Sequence, residues 1–211
     1  AGGAILAACA PVAGALSPSS SATPSATASA TPSASVSATP TPTAPAYGDL
    51  TEIPDETAGP YPGDGSNGPN ALTESGIVRS DLRSNIAGGG SVEGVPLQIT
   101  LTIVDMAGGN IPFAGVAVYA WHCDAQGRYS MYSSGVEDQT WLRGVQVADA
   151  EGKVTFTSIV PGCYTGRWPH VHFEVYPTVN EIRNSSAAIS TSQLGFPESM
   201  CGEVYAQSTY S

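Results

Sequence analysis

The sequence predicts an all-β fold, an antiparallel β-sandwich with long irregular loops, preceded by a disordered tether. Three observations support this prediction. Short alternating segments recur from residue 96 onward, and turns rich in Gly, Asp and Asn separate them. No segment has the pattern of a long helix. Ahead of the domain, residues 17–46 contain only Ser, Thr, Ala and Pro apart from Val36.

The composition divides the chain into residues 1–16, 17–46 and 47–211. The first segment is apolar, like the end of a secretory signal whose start lies outside the sequence. Its Leu6-Ala-Ala-Cys9 motif resembles a bacterial lipobox, in which Cys9 would be lipidated; the alternative is a signal core that contains a cysteine. The second segment buries too little apolar surface to fold and forms a semi-extended tether. We therefore expect an exported domain, extracellular or lipid-anchored to the outer face of the cell membrane.

Charge and cysteine content restrict the function of the domain. The net charge of -11 belongs to residues 47–211, because residues 1–46 contain no charged side chain and no histidine. Such an acidic domain is not expected to bind nucleic acid, which requires Lys and Arg. Its cysteines lie at positions 123, 163 and 201, and we expect a disulfide between Cys163 and Cys201, since exported proteins form them. The absence of CxxC spacing argues against a zinc-thiolate site.

The strands are predicted from alternation between turns. Leu97, Ile99, Leu101 and Ile103 share one face of a strand that covers residues 96–104. Further strands are predicted at residues 116–122, 128–130, 143–147, 153–159 and 170–175. Residues 149–152 are predicted to close a hairpin between the third and fourth of these. Residues 177–196 are expected to contain one short helical turn at most.

The last predicted strand contains a candidate metal-binding motif. His170 and His172 share one face because residues two apart in a strand point the same way, so both imidazoles can bind one metal ion. Tyr164 follows a Pro-Gly turn, and Tyr129 follows the turn at residues 124–127. Each of these features, taken by itself, is more often structural than metal-binding. Together they predict two imidazole and two phenolate ligands, a set that requires a strongly Lewis-acidic centre such as Fe(III).

These residues occur in the order seen in a known enzyme family. The sequence resembles the intradiol ring-cleavage dioxygenases, which comprise the catechol, protocatechuate and hydroxyquinol dioxygenases. The resemblance is carried by Gly59-Pro60-Tyr61, Trp121-His-Cys-Asp-Ala-Gln-Gly-Arg-Tyr129, Trp141-Leu-Arg-Gly-Val-Gln-Val, Ile159-Val-Pro-Gly-Cys-Tyr164 and Arg167-Trp-Pro-His-Val-His172.

The resemblance assigns a role to each candidate residue. It implies that non-haem Fe(III) is bound by Tyr129, Tyr164, His170 and His172. It implies that Arg167 and Tyr164 act in catalysis. It further implies that Tyr61 and Trp121 lie near the substrate pocket. The expected substrates are a small aromatic diol and O2, and the expected product is a cis,cis-muconate, with no organic cofactor.

The chain is most similar to small exported members of the family, of actinobacterial type. It has no counterpart of the helical N-terminal dimerisation region of catechol dioxygenases. It ends at Ser211, earlier than members usually do, which predicts a domain shortened at its C-terminus. The oligomeric state does not follow from the sequence.

Two alternatives remain open from the sequence. The first is a zinc hydrolase that uses His122, His170 and His172 as ligands and keeps one open position. The second is a non-catalytic, prealbumin-like surface module that binds carbohydrate or a partner protein. Two tyrosinates on zinc would be colourless, whereas ferric tyrosinate absorbs visible light.

Overall fold

The computed structural model describes residues 47–210, so the predicted signal segment, Cys9 and the tether lie outside the described residues. Within that range no helix has the length and apolar character required to cross a membrane. The strands and the α-helix of this range are β1 Pro96–Thr102, β2 Val104–Asp105, β3 Ile111–Pro112, β4 Ala117–Trp121, β5 Arg143–Val147, β6 Lys153–Ile159, β7 His170–Tyr176, β8 Ser190–Gly195 and α1 Glu198–Tyr205.

Two antiparallel sheets lie face to face, one with the strand order β5-β4-β7-β8 and the other the pair β1-β6. Strands β2 and β3 form a separate two-stranded antiparallel sheet. Apolar side chains from both sheets fill the space between them, including Ile99, Val118, Phe156 and Phe173. The predicted all-β fold with antiparallel sheets is confirmed. Burying two strand faces against each other is what stabilises such an arrangement.

The alternating pattern of β1 was interpreted correctly. Ile99 is buried in the core between the sheets, and Leu97, Leu101 and Ile103 pack against the same cluster. The strands predicted at residues 116–122, 143–147 and 153–159 are β4, β5 and β6, with bounds that agree to within one residue at each end. Periodicity of two along the chain was sufficient to find them.

Two local predictions were wrong. Residues 149–152 form a turn, with the Gly152 amide donating to the Asp149 carbonyl over 2.9 Å, but β5 and β6 do not pair. Strand β6 instead pairs with β1, so this turn carries the chain from one sheet to the other. Residues 128–130 are not a strand, and Tyr129 lies in an irregular loop.

The C-terminal part contains two elements that the sequence did not predict. Strand β8 pairs with β7 along its whole length, although its sequence, Ser-Thr-Ser-Gln-Leu-Gly, has little strand propensity. Helix α1 follows, and the Tyr205 hydroxyl donates to the Pro161 carbonyl over 2.9 Å. Tertiary contacts, rather than local propensity, stabilise both elements.

The predicted disulfide between Cys163 and Cys201 is not present. Both are free thiols, and Cys163 is exposed whereas Cys201 lies on the buried face of α1. The third cysteine, Cys123, directs its Sγ toward the Gly162 carbonyl at 3.4 Å. Burial raises the pKa of the Cys123 thiol to about 12, so this cysteine is a neutral core residue rather than a thiolate ligand.

The four-stranded sheet has two differently covered faces. In β7, Val171, Phe173 and Val175 contribute to the core between the sheets. His170 and His172 point to the opposite face, as the alternation predicted. Loops cover that second face and bury a second cluster, which contains aromatic residues from β4, β7 and the irregular loop after β4. The candidate site lies within this second cluster.

Candidate metal centre

The two histidines of β7 converge on one point. The Nε2 atoms of His170 and His172 lie 3.0 Å apart, and both residues are at least 95% buried, with 5% and 2% of their surface exposed. The Nδ1 of His170 lies 2.6 Å from the carbonyl of Trp168. A carbonyl only accepts, so Nδ1 carries the proton and Nε2 presents its lone pair to the site. This is how a metal-binding histidine is usually held.

The protonation state of both imidazoles favours a metal. Burial, with smaller contributions from the charges of His170 and Arg167, lowers the pKa of His172 to about 3. Burial also lowers the pKa of His170. Both rings are therefore neutral at physiological pH, the form that binds metals. The Nδ1 of His172 is buried and has no hydrogen-bond partner, so this ring engages only through its Nε2 side.

Two tyrosines complete the donor set. The Tyr129 hydroxyl lies 3.5 Å from Nε2 of His170, and Tyr129 is 1% exposed. The ring of Tyr164 lies edge-on to both, with centroids 5.8 Å from Tyr129 and 5.9 Å from His170. Burial raises the pKa of Tyr129 far above its ordinary value, so only a strong cation beside its oxygen would hold it as a phenolate. The structure thus brings together all four predicted ligands, and two imidazoles with two phenols fit a ferric ion.

A glutamine that the sequence did not indicate lies at the edge of this centre. Gln193 on β8 is directly opposite His172 in the strand register, so both side chains lie on the same face. Its Oε1 accepts a hydrogen bond from the Arg167 guanidinium, and its Nε2 donates to the Thr57 carbonyl over 2.9 Å. Gln193 therefore links the predicted catalytic arginine to the segment before β1. No local motif marks it, because its position depends on β7–β8 pairing.

The segment around Gly59 covers the imidazole of His172. Gly59 has a φ of +72°, and a Cβ at this position would lie 3.3 Å from Cε1 and 3.7 Å from Nε2 of His172. The Gly59 amide donates to the Thr57 hydroxyl over 3.0 Å. Tyr61, a predicted pocket residue, packs on Tyr129 with 4.8 Å between ring centroids. The absence of a side chain at position 59 leaves space beside the histidine nitrogen.

The other predicted pocket residue, Trp121, lies behind His172 rather than in an open pocket. It is fully buried, and its ring stacks on the imidazole with centroids 4.9 Å apart. The indole also stacks on Tyr119, with centroids 4.9 Å apart. Trp121 therefore supports the orientation of the His172 ring.

A fully buried arginine, Arg143, connects the segment that follows Gly59 to the loop that contains Tyr129. Arg143 donates to the carbonyls of Tyr61 and Pro62, at 3.0 and 2.8 Å. It also donates to the carbonyl and the hydroxyl of Ser130, at 2.9 and 3.0 Å. Ser130 follows the candidate ligand Tyr129. One guanidinium thus satisfies several carbonyls that would otherwise be buried without partners.

His122 is not part of the centre, which excludes the zinc alternative. Its Nδ1 lies 2.7 Å from the Cys123 carbonyl, and its Nε2 lies 2.7 Å from the Ser158 hydroxyl, so both nitrogens are already bonded. Within residues 47–210 no three His, Cys, Asp or Glu side chains form a group that could hold a metal. The convergent donors are two histidines with two tyrosines, a combination that zinc sites rarely use.

Comparison with known proteins agrees with this arrangement. The sequence model of a dioxygenase family matches residues 67–178, more than half of the chain. An intradiol ring-cleavage dioxygenase from Tetranychus urticae is 27% identical; the match covers 76% of this chain and 72% of that chain, with a TM-score of 0.60. The chain belongs to the intradiol ring-cleavage dioxygenase family. The matched range includes the four convergent donors and excludes Gly59 and β8.

Two further solved structures of dioxygenases match over parts of their length. The dioxygenase domain of a dioxygenase carbohydrate-binding protein fusion from Streptomyces sp. SirexAA-E is 29% identical, with 69% of this chain and 75% of that chain covered and a TM-score of 0.47. Catechol 1,2-dioxygenase from Pseudomonas arvilla C-1 is 26% identical; the match covers 62% of this chain and 44% of that chain, with a TM-score of 0.43.

Proposed function

We propose that this intradiol dioxygenase binds one ferric ion through Tyr129, Tyr164, His170 and His172. With it, the enzyme cleaves a catechol between its two hydroxylated carbons. Both atoms of O2 enter the product, a cis,cis-muconate, and two protons are released, so no external electron donor is needed. The observation that carries the proposal is the 3.0 Å approach of two neutral histidine Nε2 atoms beside two tyrosines.

The two tyrosines would have different tasks because their burial differs. The chemistry that ferric iron supplies when bound is Lewis acidity toward the two catechol oxygens. Tyr129 is 1% exposed and packs within the second core cluster, which suits a permanent ligand. Tyr164 is only partly buried and follows the exposed Cys163. Its phenolate oxygen takes a proton from a substrate hydroxyl as a general base.

Arg167 would stabilise negative charge at the mouth of the site. Its guanidinium is exposed to solvent on one side and held by Gln193 on the other. Its charge contributes to the lowered pKa of both His170 and His172, which places its field at the centre. A fixed cation near developing negative charge lowers the barrier of the step that forms it.

The proposal is tested with purified, iron-loaded protein. We expect a broad visible band from ferric tyrosinate that moves to longer wavelength when catechol is added without oxygen. With ¹⁸O2, the ring-opened product should contain two labelled atoms. A colourless protein that contains stoichiometric iron would refute the tyrosinate ligands. A product with one labelled atom or none would refute dioxygenation.

We further propose that the chain is exported and lipidated at Cys9, which supports a role outside the cytoplasm. The proposal rests on the apolar first segment and the Ser/Thr/Ala/Pro tether. Metabolic labelling with a fatty-acid probe should label the wild-type chain and not a Cys9→Ser variant. Equal labelling of both would refute lipidation at this residue.

A further inference from the structure

Trp168 is an exposed aromatic residue that is held in a fixed position. It is 52% exposed, whereas Trp121 and Trp141 are 0% and 4% exposed. Its indole Nε1 donates to the Phe196 carbonyl over 2.8 Å. Exposing a large apolar ring has a free-energy cost, and a hydrogen bond that fixes it there leaves one ring face presented to solvent.

The indole lies on the same face of the sheet as the metal centre. Gly195 of β8 is directly opposite His170 of β7, so side chains at both positions project to one face. A Cβ on Gly195 would lie 3.6 Å from Cδ1 of Trp168, which places the indole over the space that a side chain would otherwise occupy. Adjacent strands are about 4.8 Å apart, so the ring is one strand away from His170.

Polar groups of the site lie next to this ring. Arg167 precedes Trp168 in the chain and bonds to Gln193, which lies two residues before Gly195 on the same face of β8. Arg167, Gln193 and Trp168 therefore form a continuous rim beside His170. A ring that extends outward from a catechol bound at the centre would pass over this rim toward the indole.

We infer that Trp168 is an outer stacking subsite, and that the enzyme accepts catechols that carry a second planar aromatic ring. This inference rests on the proposed function, because the first ring must be held at the metal centre. An indole already fixed by its bond to Phe196 loses little conformational entropy when it receives a second ring. Aromatic pairs contribute about 0.5–1.5 kcal/mol beyond area burial, which corresponds to about a two- to tenfold gain in affinity.

The test compares three ligands in iron-loaded protein without oxygen: catechol, 4-phenylcatechol and 4-cyclohexylcatechol. Affinity is measured from the visible band and, independently, from Trp fluorescence. Wild type should bind 4-phenylcatechol more tightly than 4-cyclohexylcatechol, which has similar bulk but no aromatic face. Trp168→Ala should lose about two- to tenfold in affinity for 4-phenylcatechol, leave catechol within about twofold, and abolish the preference between the two bulky ligands.

The controls separate stacking from other effects. Trp168→Phe should retain part of the preference. Ile53→Ala removes an equally exposed residue, 54% exposed, that lines the groove of about 600 Å³ on the other face of the sheet, and it should change nothing. An unchanged preference in Trp168→Ala would overturn the subsite even if catechol is cleaved normally. If no ferric band or cleavage is found, the proposed function fails and the subsite fails with it, whereas a normal band with an unchanged preference overturns the subsite alone.

Discussion

The indole ring of Trp121 and the imidazole ring of His172 lie parallel, with 4.9 Å between their centroids and 5° between their planes. Tyr119 also stacks on the indole, with centroids 4.9 Å apart, so Trp121 is held in a buried aromatic group next to the metal centre. The Nδ1 atom of His172 has no hydrogen-bond partner. The usual carbonyl or carboxylate that orients a metal-binding histidine is therefore replaced here by a stacked ring.

Trp121→Leu should weaken iron binding about 10- to 100-fold, because the His172 ring loses the surface that orients it. Iron affinity is measured by competition with a chelator, followed through the visible band. Trp141→Leu is the matched control, since Trp141 is also buried but belongs to a separate core cluster. Equal losses in both variants would indicate general destabilisation and contradict the orienting role of Trp121.

Tyr129→Phe should weaken and shift the visible band, since only Tyr164 remains as a phenolate ligand, and lower turnover by roughly 100-fold or more, because it removes one phenol oxygen from the centre. The ring that packs against Tyr61 remains, so we expect little change in thermal unfolding. Tyr132→Phe is the control, because Tyr132 also packs on Tyr61 but its hydroxyl bonds to Asn67. A normal spectrum in Tyr129→Phe would exclude Tyr129 as a ligand.

Gly59→Ala should reduce catechol affinity, whereas its loss of stability should match that of a control glycine with the same backbone conformation. The added methyl would lie 3.3 Å from Cε1 and 3.7 Å from Nε2 of His172, in the space beside the candidate metal centre. The positive φ adds a backbone penalty of about 1–2 kcal/mol. Gly88→Ala carries the same backbone penalty, with a φ of +86° and no atom within 4 Å of the new methyl. The difference in catechol affinity between the two variants isolates the contact with His172, and identical affinities would contradict it.

Arg143→Met should lower the free energy of unfolding by about 3 kcal/mol or more, because several buried carbonyls lose their donor. The carbonyls of Tyr61, Pro62 and Ser130 are the groups affected. Urea unfolding of iron-free protein measures the loss. Arg83→Gln is the comparison, since Arg83 forms an exposed ion pair with Asp81 and should contribute less than about 1 kcal/mol. Similar losses in both variants would refute the bridging role.

His122 should make the iron-free protein sensitive to acid. Burial lowers its pKa from 6.5 to about 4, so the unfolded chain binds a proton before the folded one does. The stability associated with neutral His122 is complete above pH 6.5 and is lost as the pH falls toward 4, by about 3 kcal/mol in total. Unfolding free energies measured across this range should fall less steeply in His122→Gln than in wild type. Parallel curves would contradict the assignment.

The sequence by itself predicted most strands of the two facing sheets and the four candidate donors. Alternation along β1 and β7 identified which side chains face the core, because the two-residue repeat of a strand is a local property. The same alternation placed His170 and His172 on one face, and the positions of Tyr129 and Tyr164 after turns, supported by the family motifs, added the two tyrosines. These conclusions needed only residues close together in the chain, or motifs that occur in a known order.

The tertiary structure decided which residues surround the candidate donors and how the strands pair. Gln193 lies beside Arg167 because β8 pairs with β7, and the weak strand propensity of β8 gave no sign of this. The predicted hairpin failed because β6 pairs with β1, at a distance along the chain that no turn motif specifies. His122 was removed from the candidate ligands by its bonds to Cys123 and Ser158. Such long-range pairings depend on how two sheets bury their shared core, which local periodicity does not encode.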